Sequence, residues 1–385
     1  MAMNAPVYLD YNATTPCDPR VVEKMSPFFT EWYGNPANGL HIQGRRSARA
    51  VADARDQIAA LIVARPGEIF FTAGATESNN LAILGLARAA RRSTRRRIVT
   101  ASAEHKAVLL PCKKLADDGF EVVILPVDRN GRVDVEAARS AIDTGTLLVS
   151  VQAANNEIGT IQPVAEIAAL AHEMGAFVHC DAAQAVGKIP VNVDDLGVDL
   201  LSASAHKLYG PKGIGCLYVR GGTRTIALEP LAYGGGQENG LRSGTTNVPG
   251  AVGFGEACAI AQAELTDEMA RLTALRDTLE TALLAEIDGL RINARDADRL
   301  PNTSSLTFPG VDADALLLNM PKVMLGTGSA CTSGAVEPSH VLTAIGLNRA
   351  ESSSTIRLSL GRFTYQHELR EIIALLFQTS ATLSD

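Results

Sequence analysis

The chain has 385 residues, 46% of them hydrophobic and 20% charged, with a formal net charge of -7. That length exceeds one ordinary hydrophobic core, so two or more domains are expected, and the composition excludes a disordered chain. The acidic balance gives no electrostatic reason to bind nucleic acid or an anionic membrane surface, and no apolar run reaches the ~18 residues that span a bilayer.

The opening MAMNAPVYLDYNATTP lacks the basic start and apolar core of a signal peptide, so a cytoplasmic location is expected. Cysteines stand at Cys17, Cys112, Cys180, Cys216, Cys258 and Cys331 with no C-x-x-C pair. Such scatter argues against a disulfide framework and against a zinc site, and no metal is expected. Most of these thiols should be reduced, buried and inert. Asn12-Ala13-Thr14 and Asn302-Thr303-Ser304 match the glycosylation acceptor pattern, which carries no weight without secretion.

In chain order, apolar β-branched runs predict strands over 68–72, 97–102, 121–127, 147–153, 177–181, 200–203 and 215–220. Helical patterns over 79–90, 105–117 and 163–174 lie between several of them. This alternation predicts an α/β fold with a mainly parallel sheet covered on both faces, and ligands then gather at the carboxyl ends of the strands. The arginine-rich run at 88–97 closes a helix and reads as a solvated surface complementing the helix dipole. After about residue 260 the texture changes: residues 264–287 form one long charged amphipathic helix, a bridge between domains. Strands at 304–308 and 356–360 and helices near 313–320, 339–345 and 366–376 then describe a smaller α+β domain.

The chemistry-bearing residues cluster at predicted strand ends. Asp181 closes the strand Phe177-Val-His-Cys-Asp181, where a buried carboxylate needs a cation or a donor. It reads either as a helix cap or salt bridge, or as the partner of a protonated heterocycle nitrogen, with Gln184 near an adjacent phenolic oxygen. The next strand leads through Ser204, His206 and Lys207 into a glycine-rich turn. Two hydroxyls (Ser202, Ser204), an imidazole and an amine leaving the sheet together suit pyridoxal phosphate, which takes a lysine on its aldehyde and donors on its phosphate. Lys212 competes with Lys207 but lies inside the Gly-Pro-Lys-Gly turn, away from the strand end. Gly74-Ala75-Thr76 runs from a strand into a helix whose free N–H groups attract phosphate, although Ser or Thr there is also an everyday cap. His105 and Asn156 follow two further strand ends, the first placed to stack on an aromatic ring and handle protons. Cys331 lies in Gly326-Thr-Gly-Ser-Ala-Cys331-Thr-Ser-Gly334, which describes a mobile exposed loop over about 324–336. Arg357 suits either a substrate carboxylate or a structural salt bridge.

Together these segments resemble the NifS/IscS-type cysteine desulfurases, in the class V branch of the fold-type I pyridoxal-phosphate enzymes. The resemblance runs nearly end to end, through YLDYNATTP (8–16), YGNPAN (33–38), TAGATESNN (72–80), AEHKAVL (103–109), NNEIGTIQP (155–163), HCDAAQAVGK (179–188), SASAHKLYGPKGIG (202–215), GGGQENGLRSGT (234–245), GSACTSG (328–334) and STIRLSLGRFT (354–364). It implies a fold-type I transferase: a large cofactor domain over 16–262 with a seven-stranded sheet, and a smaller domain built from 1–15 and 263–385. It further implies that Lys207 bonds the coenzyme, Asp181 pairs with its ring nitrogen, His105 stacks on the ring, and Gln184 and Asn156 contact its phenolic oxygen. Ala75, Thr76, Ser204 and His206 would hold the phosphate, with Thr245 reaching across from the partner subunit of a homodimer. Asn35 and Arg357 would orient the substrate carboxylate. The implied activity converts L-cysteine to L-alanine, leaving a persulfide on Cys331 for a sulfur-acceptor protein, as in iron–sulfur cluster assembly. Another class V activity, such as an aminotransferase or selenocysteine lyase, a sulfur donor for tRNA or DNA modification, and a catalytically silent scaffold subunit are the alternatives. The simultaneous presence of Lys207, Asp181, His105 and Cys331 weighs against the silent subunit.

Overall fold

The computed structural model describes residues 6–327 and 338–384. Strand β1 (Val7–Tyr8) opens the chain. Strands β2 (Ile69–Thr72), β3 (Arg97–Ala101), β4 (Glu121–Leu125), β5 (Thr146–Ser150), β6 (Phe177–Asp181), β7 (Leu200–Ser204) and β8 (Gly215–Val219) follow. They form one seven-stranded sheet, as expected, and the structure sets its order as β2-β8-β7-β6-β5-β3-β4. Every pairing from β7 to β4 is parallel, and β8 runs antiparallel to both of its neighbours. The carboxyl ends of β2, β3, β5, β6 and β7 therefore open on one edge, which is also where β8 begins.

The period-two alternation of the strands fills both faces of this sheet. Ile98, Leu148, Leu200 and Leu217 pack on one side, and Val99, Val149, Leu201 and Tyr218 on the other. Covered on both faces, the central strands read as unbroken apolar runs, which is why their positions are legible in the sequence.

After a long helix come β9 (Arg291–Ile292), β10 (Thr303–Thr307), β11 (Val323–Met324), β12 (Gly326–Thr327) and β13 (Thr355–Ser359). An antiparallel sheet in the order β12-β13-β10-β9 carries a separate core of Leu306, Phe308, Ile356, Leu358, Ile372 and Leu376. The chain start belongs here too: β1 pairs in parallel with β11, and Val7 and Leu9 join the same core.

Two expectations need correction. The long helix covers Val248–Glu286, beginning well before residue 264. Its first turns are apolar or small on every side and buried all round, so no polar face marks the period. Gly255 there lets it lie close against the helix Ile42–Leu61: a Cβ at Gly255 would stand 2.6 Å from the Ala54 Cα. The arginine run at 88–97 is only partly solvated. Arg95 donates to the carbonyls of Thr146 (3.0 Å) and Met174 (2.8 Å), Arg96 lies 3.9 Å over the Phe120 ring, and Arg97 pairs with Glu121 (3.0 Å) and with Asp143. Their long stems cover apolar surface and their guanidinium groups close open strand and helix ends, an outcome that charge counting does not reveal.

Helix propensity alone makes Gly→Ala in a helix favourable by about 1 kcal/mol. At Gly255 backbone crowding reverses the sign, so Gly255→Ala is expected to lower stability by about 1–3 kcal/mol, read as a fall in the urea midpoint. An unchanged or raised midpoint would show that the helix pair can separate freely.

Candidate active site

At the shared edge of the strand ends lies a cavity of about 1610 Å³. The large sheet supplies its floor through Ala75, Thr76, His105, Asn156, Asp181, Gln184, Ser204, His206 and Lys207, and the second core closes it with Gly326, His340 and Arg357.

β7 ends at Ser204, and a single tight turn, Ala205–Lys207, swings the lysine over the sheet edge. The Lys207 Nζ donates to the carbonyls of Asn12 (2.6 Å) and Ala13 (2.8 Å). Burial pushes its pKa down to about 8; Arg357 pushes the same way, while Asp181 and Asp10 oppose it. An amine so placed loses its proton near neutrality, as a nucleophile must. His206 bonds Thr14 Oγ1 through Nδ1 at 3.1 Å, and burial, with Lys207 and Lys212, pushes it down to about 4, so it is neutral at pH 7.

Asp181 is 7% exposed. Its Oδ2 accepts from Asn79 Nδ2 at 2.6 Å and its Oδ1 from the Ala183 N–H at 3.0 Å. It thus caps the following turn and also faces the cavity, so the two readings of the sequence coexist. His105 caps the helix Lys106–Asp117, its Nδ1 accepting the Ala107 N–H at 3.0 Å. In the neutral ring the proton then lies on Nε2, and burial holds the pKa below its ordinary value, with Asp181 opposing.

Gly74, at φ 151°, turns the chain into Ala75–Asn80, and no side chain caps that helix start. Glycine is needed on both sides of this approach, because a Cβ on Gly215 would stand 2.6 Å from the Gly74 Cα. Arg357, on β13, donates through Nη2 to Asp10 Oδ1 (2.5 Å) and through Nη1 to the Asn156 carbonyl (3.2 Å), while its buried Nε has no partner among the described residues.

Two expected site residues stand outside the wall of their own chain's cavity. Asn35 stands on an exposed turn, its Oδ1 accepting the Ala37 N–H at 2.9 Å, outside the wall of its own chain's cavity. Thr245 is exposed and also outside that wall. Cys331 lies outside the described residues. The remaining cysteines are free. Burial raises Cys112 and Cys216 to about 12 and Cys180 and Cys258 well above the ordinary thiol value, which leaves them inert.

The family model described as Aminotransferase class-V matches residues 7–372. A mitochondrial cysteine desulfurase of Arthroderma benhamiae is 48% identical over 96% of this chain and 73% of its own length. The cysteine desulfurase IscS of Anaeromyxobacter dehalogenans is 46% identical over 97% of this chain and 92% of its own. Among solved structures, a NifS-like protein superposes with a TM-score of 0.91 at 39% identity, covering 98% of this chain and all of that one. A protein titled SspA in complex with cysteine gives 0.81 at 38% identity, covering 93% and 99%. The chain belongs to the class-V aminotransferases, in their cysteine desulfurase group.

Within this family site the structure adds residues that the motifs did not single out. Asn12, 1% exposed, donates through Nδ2 to the Asn156 carbonyl (3.1 Å) and Thr303 Oγ1 (2.8 Å), and its Oδ1 accepts from Lys188 (2.9 Å) and Asn302 (3.1 Å). In the sequence it showed only as part of the N-x-T match and of the YLDYNATTP segment, with no role assigned to it. His340 reaches the cavity from the second core, its Nε2 donating to the Glu104 carbonyl at 2.8 Å. Glu104 is fully buried: Oε1 accepts the Gln152 N–H at 2.7 Å and Oε2 has no partner. Burial raises its pKa well above the ordinary carboxyl value, and the nearby Asp181 charge adds to the rise.

Glu104 therefore holds its proton more tightly in the folded protein than in the unfolded chain. Its contribution is fully present below the unfolded pKa and is lost as pH rises toward the folded one, at up to about 1.4 kcal/mol per pH unit. Glu104→Gln should remove that slope, so that stability relative to the wild type rises steadily from pH 5 to 7. Urea unfolding at several pH values checks this, and parallel curves for the two proteins would refute it.

Proposed function

We infer that the protein is a cysteine desulfurase, converting L-cysteine to L-alanine and holding the sulfur as a persulfide on Cys331 for an acceptor protein. The observation that carries this reading is the convergence of the Lys207 amine, already pushed toward neutrality, and the buried Asp181 carboxylate on one cavity at adjacent strand ends. The family depends in general on pyridoxal phosphate, and the donor set fits it: an amine for the aldehyde, a carboxylate for the ring nitrogen, and an uncapped helix start for the phosphate. Bound there, the coenzyme supplies the electron sink for the carbanion formed at the substrate Cα.

The chain's own residues supply the rest. Asp181, held by Asn79, would keep the ring nitrogen protonated, and His105 would lie against the ring. Asn156 and Gln184 would face the phenolic oxygen. The N–H groups of Ala75 and Thr76, with Ser204 and neutral His206, would hold the phosphate, joined by Thr245 of a second copy in a homodimer. Arg357 would turn its free Nε, and the Nη groups now on Asp10 and Asn156, to the substrate carboxylate. Once released, the Lys207 Nζ would take the Cα proton and later return a proton to the product. The Cys331 thiolate would attack the substrate sulfur: an S–S bond forms, the Cβ–S bond breaks, and its electron pair stays with carbon.

We further propose the division into a large domain over 16–262 and a small one from both chain ends, on the strength of the two separate cores. The IscS name borne by relatives favours an acceptor in iron–sulfur cluster assembly. No helix among the described residues is long and apolar enough to cross a membrane, in keeping with a proposed cytoplasmic location.

Borohydride reduction of the holoenzyme followed by peptide mapping should find the coenzyme on Lys207; an adduct on Lys188 or Lys212 would overturn the assignment. Lys207→Ala should lower alanine formation by about 10²–10⁴-fold. Cys331→Ala should keep the coenzyme's colour yet lose sulfide release from cysteine, and full retention of that release would favour a different class V activity.

A further inference from the structure

Lys188 is a half-buried cation with no part in the reading above. It follows β6 on the turn that also carries Gln184, and its Nζ donates to Gln184 Oε1 (2.5 Å) and Asn12 Oδ1 (2.9 Å). Standing as donor to both, the amine draws the oxygen of each amide toward itself and turns each NH2 away. Asn12 has a second restraint, since Asn302 also donates to its Oδ1. Among the described residues the Gln184 oxygen accepts from Lys188 alone, and the NH2 so directed donates to the Asn12 carbonyl at 2.9 Å. That same carbonyl accepts from Lys207 Nζ at 2.6 Å.

We propose that Lys188 is a positioning residue for the reaction: by fixing which way the Gln184 amide faces, it sets both the donor offered to the coenzyme's phenolic oxygen and the carbonyl seat of the Lys207 amine. This rests on the assignment of Lys207 and Gln184 to the coenzyme site. Lys188 and Lys207 are near enough that the Lys207 charge adds to the burial that pushes Lys188 well below its ordinary value, with Arg357 acting the same way and Glu268 opposing. Around Lys207 the other charged groups are Arg357, Asp181 and Asp10. None of these is altered by replacing Lys188 with an uncharged side chain of similar length.

The test is a pH titration of the bound coenzyme's visible absorption in substrate-free holoenzyme, which follows the proton on the Lys207 nitrogen. Lys188→Met frees the Gln184 amide to turn its oxygen inward and removes a neighbouring donor, and either change favours the protonated nitrogen. The midpoint should rise by about half to one unit. Gln184→Ala should raise it similarly, and the double variant should match the single ones within about 0.2 units, since residues acting through one contact are not additive. An unmoved midpoint in Lys188→Met, or shifts that add in the double variant, would overturn the proposal. Should Lys188→Met fail to take up coenzyme, Lys188→Gln is titrated instead against the same criteria. A wild-type protein showing no such absorption would sink the coenzyme assignment itself, whereas a normal wild-type titration with no response to Lys188 would sink this inference alone.

Discussion

One buried amide holds the two cores in register. Asn12 is bonded to Ser359 and Thr303 on the small sheet's strands, to Asn302 beside them, and to Asn156, Gln184, Lys188 and Lys207 on the large sheet's edge. Each of these groups would be costly to bury unpaired, so the segment that carries Asn12 has one low-energy position. The floor of the cavity and its closing wall are defined by that position. Arg362, bonded to Asp18 at 2.8 Å beneath the Tyr209 ring, holds the same joint from the other side.

The parallel sheet explains why so many unlike functional groups meet. With only β8 reversed, six strands end at one edge, and five of them, β2, β3, β5, β6 and β7, deliver residues to the cavity there. Burial then sorts their protonation. Lys207 is brought toward neutrality, His206 and His105 are held below their ordinary pKa, and Glu104 is held well above its own, all chiefly by desolvation. A neighbouring histidine shows the same force without function. His179, wholly buried between Ser150 (2.8 Å) and Ser202 (3.0 Å), is pushed down to about 4 and only ties β5, β6 and β7 together.

Much of this was legible in the residues themselves. The seven strands were visible because sheets covered on both faces need apolar runs, and β6 falls on residues 177–181 as expected. Lys207, Asp181 and His105 stood out because unlike functional groups recur at successive strand ends, and Arg357 because a guanidinium lies within a predicted strand. The start of the long helix was not legible, because a stretch buried on every side has no polar face to reveal its period. Asn12 and Asn302 both matched a surface glycosylation pattern, yet their amides are bonded to each other at 3.1 Å in the interior.

The sequence by itself therefore determined the sheet, its sidedness and the kinds of group at its edge, since periodicity and residue chemistry are local properties. Only the tertiary structure decided that Asn12 ties the two sheets together, that Lys188 bonds Gln184, and that burial tightens the hold of Glu104 on its proton. Those facts depend on contacts between residues far apart in the chain and on how completely water is excluded between them, and neither quantity is written in any local stretch.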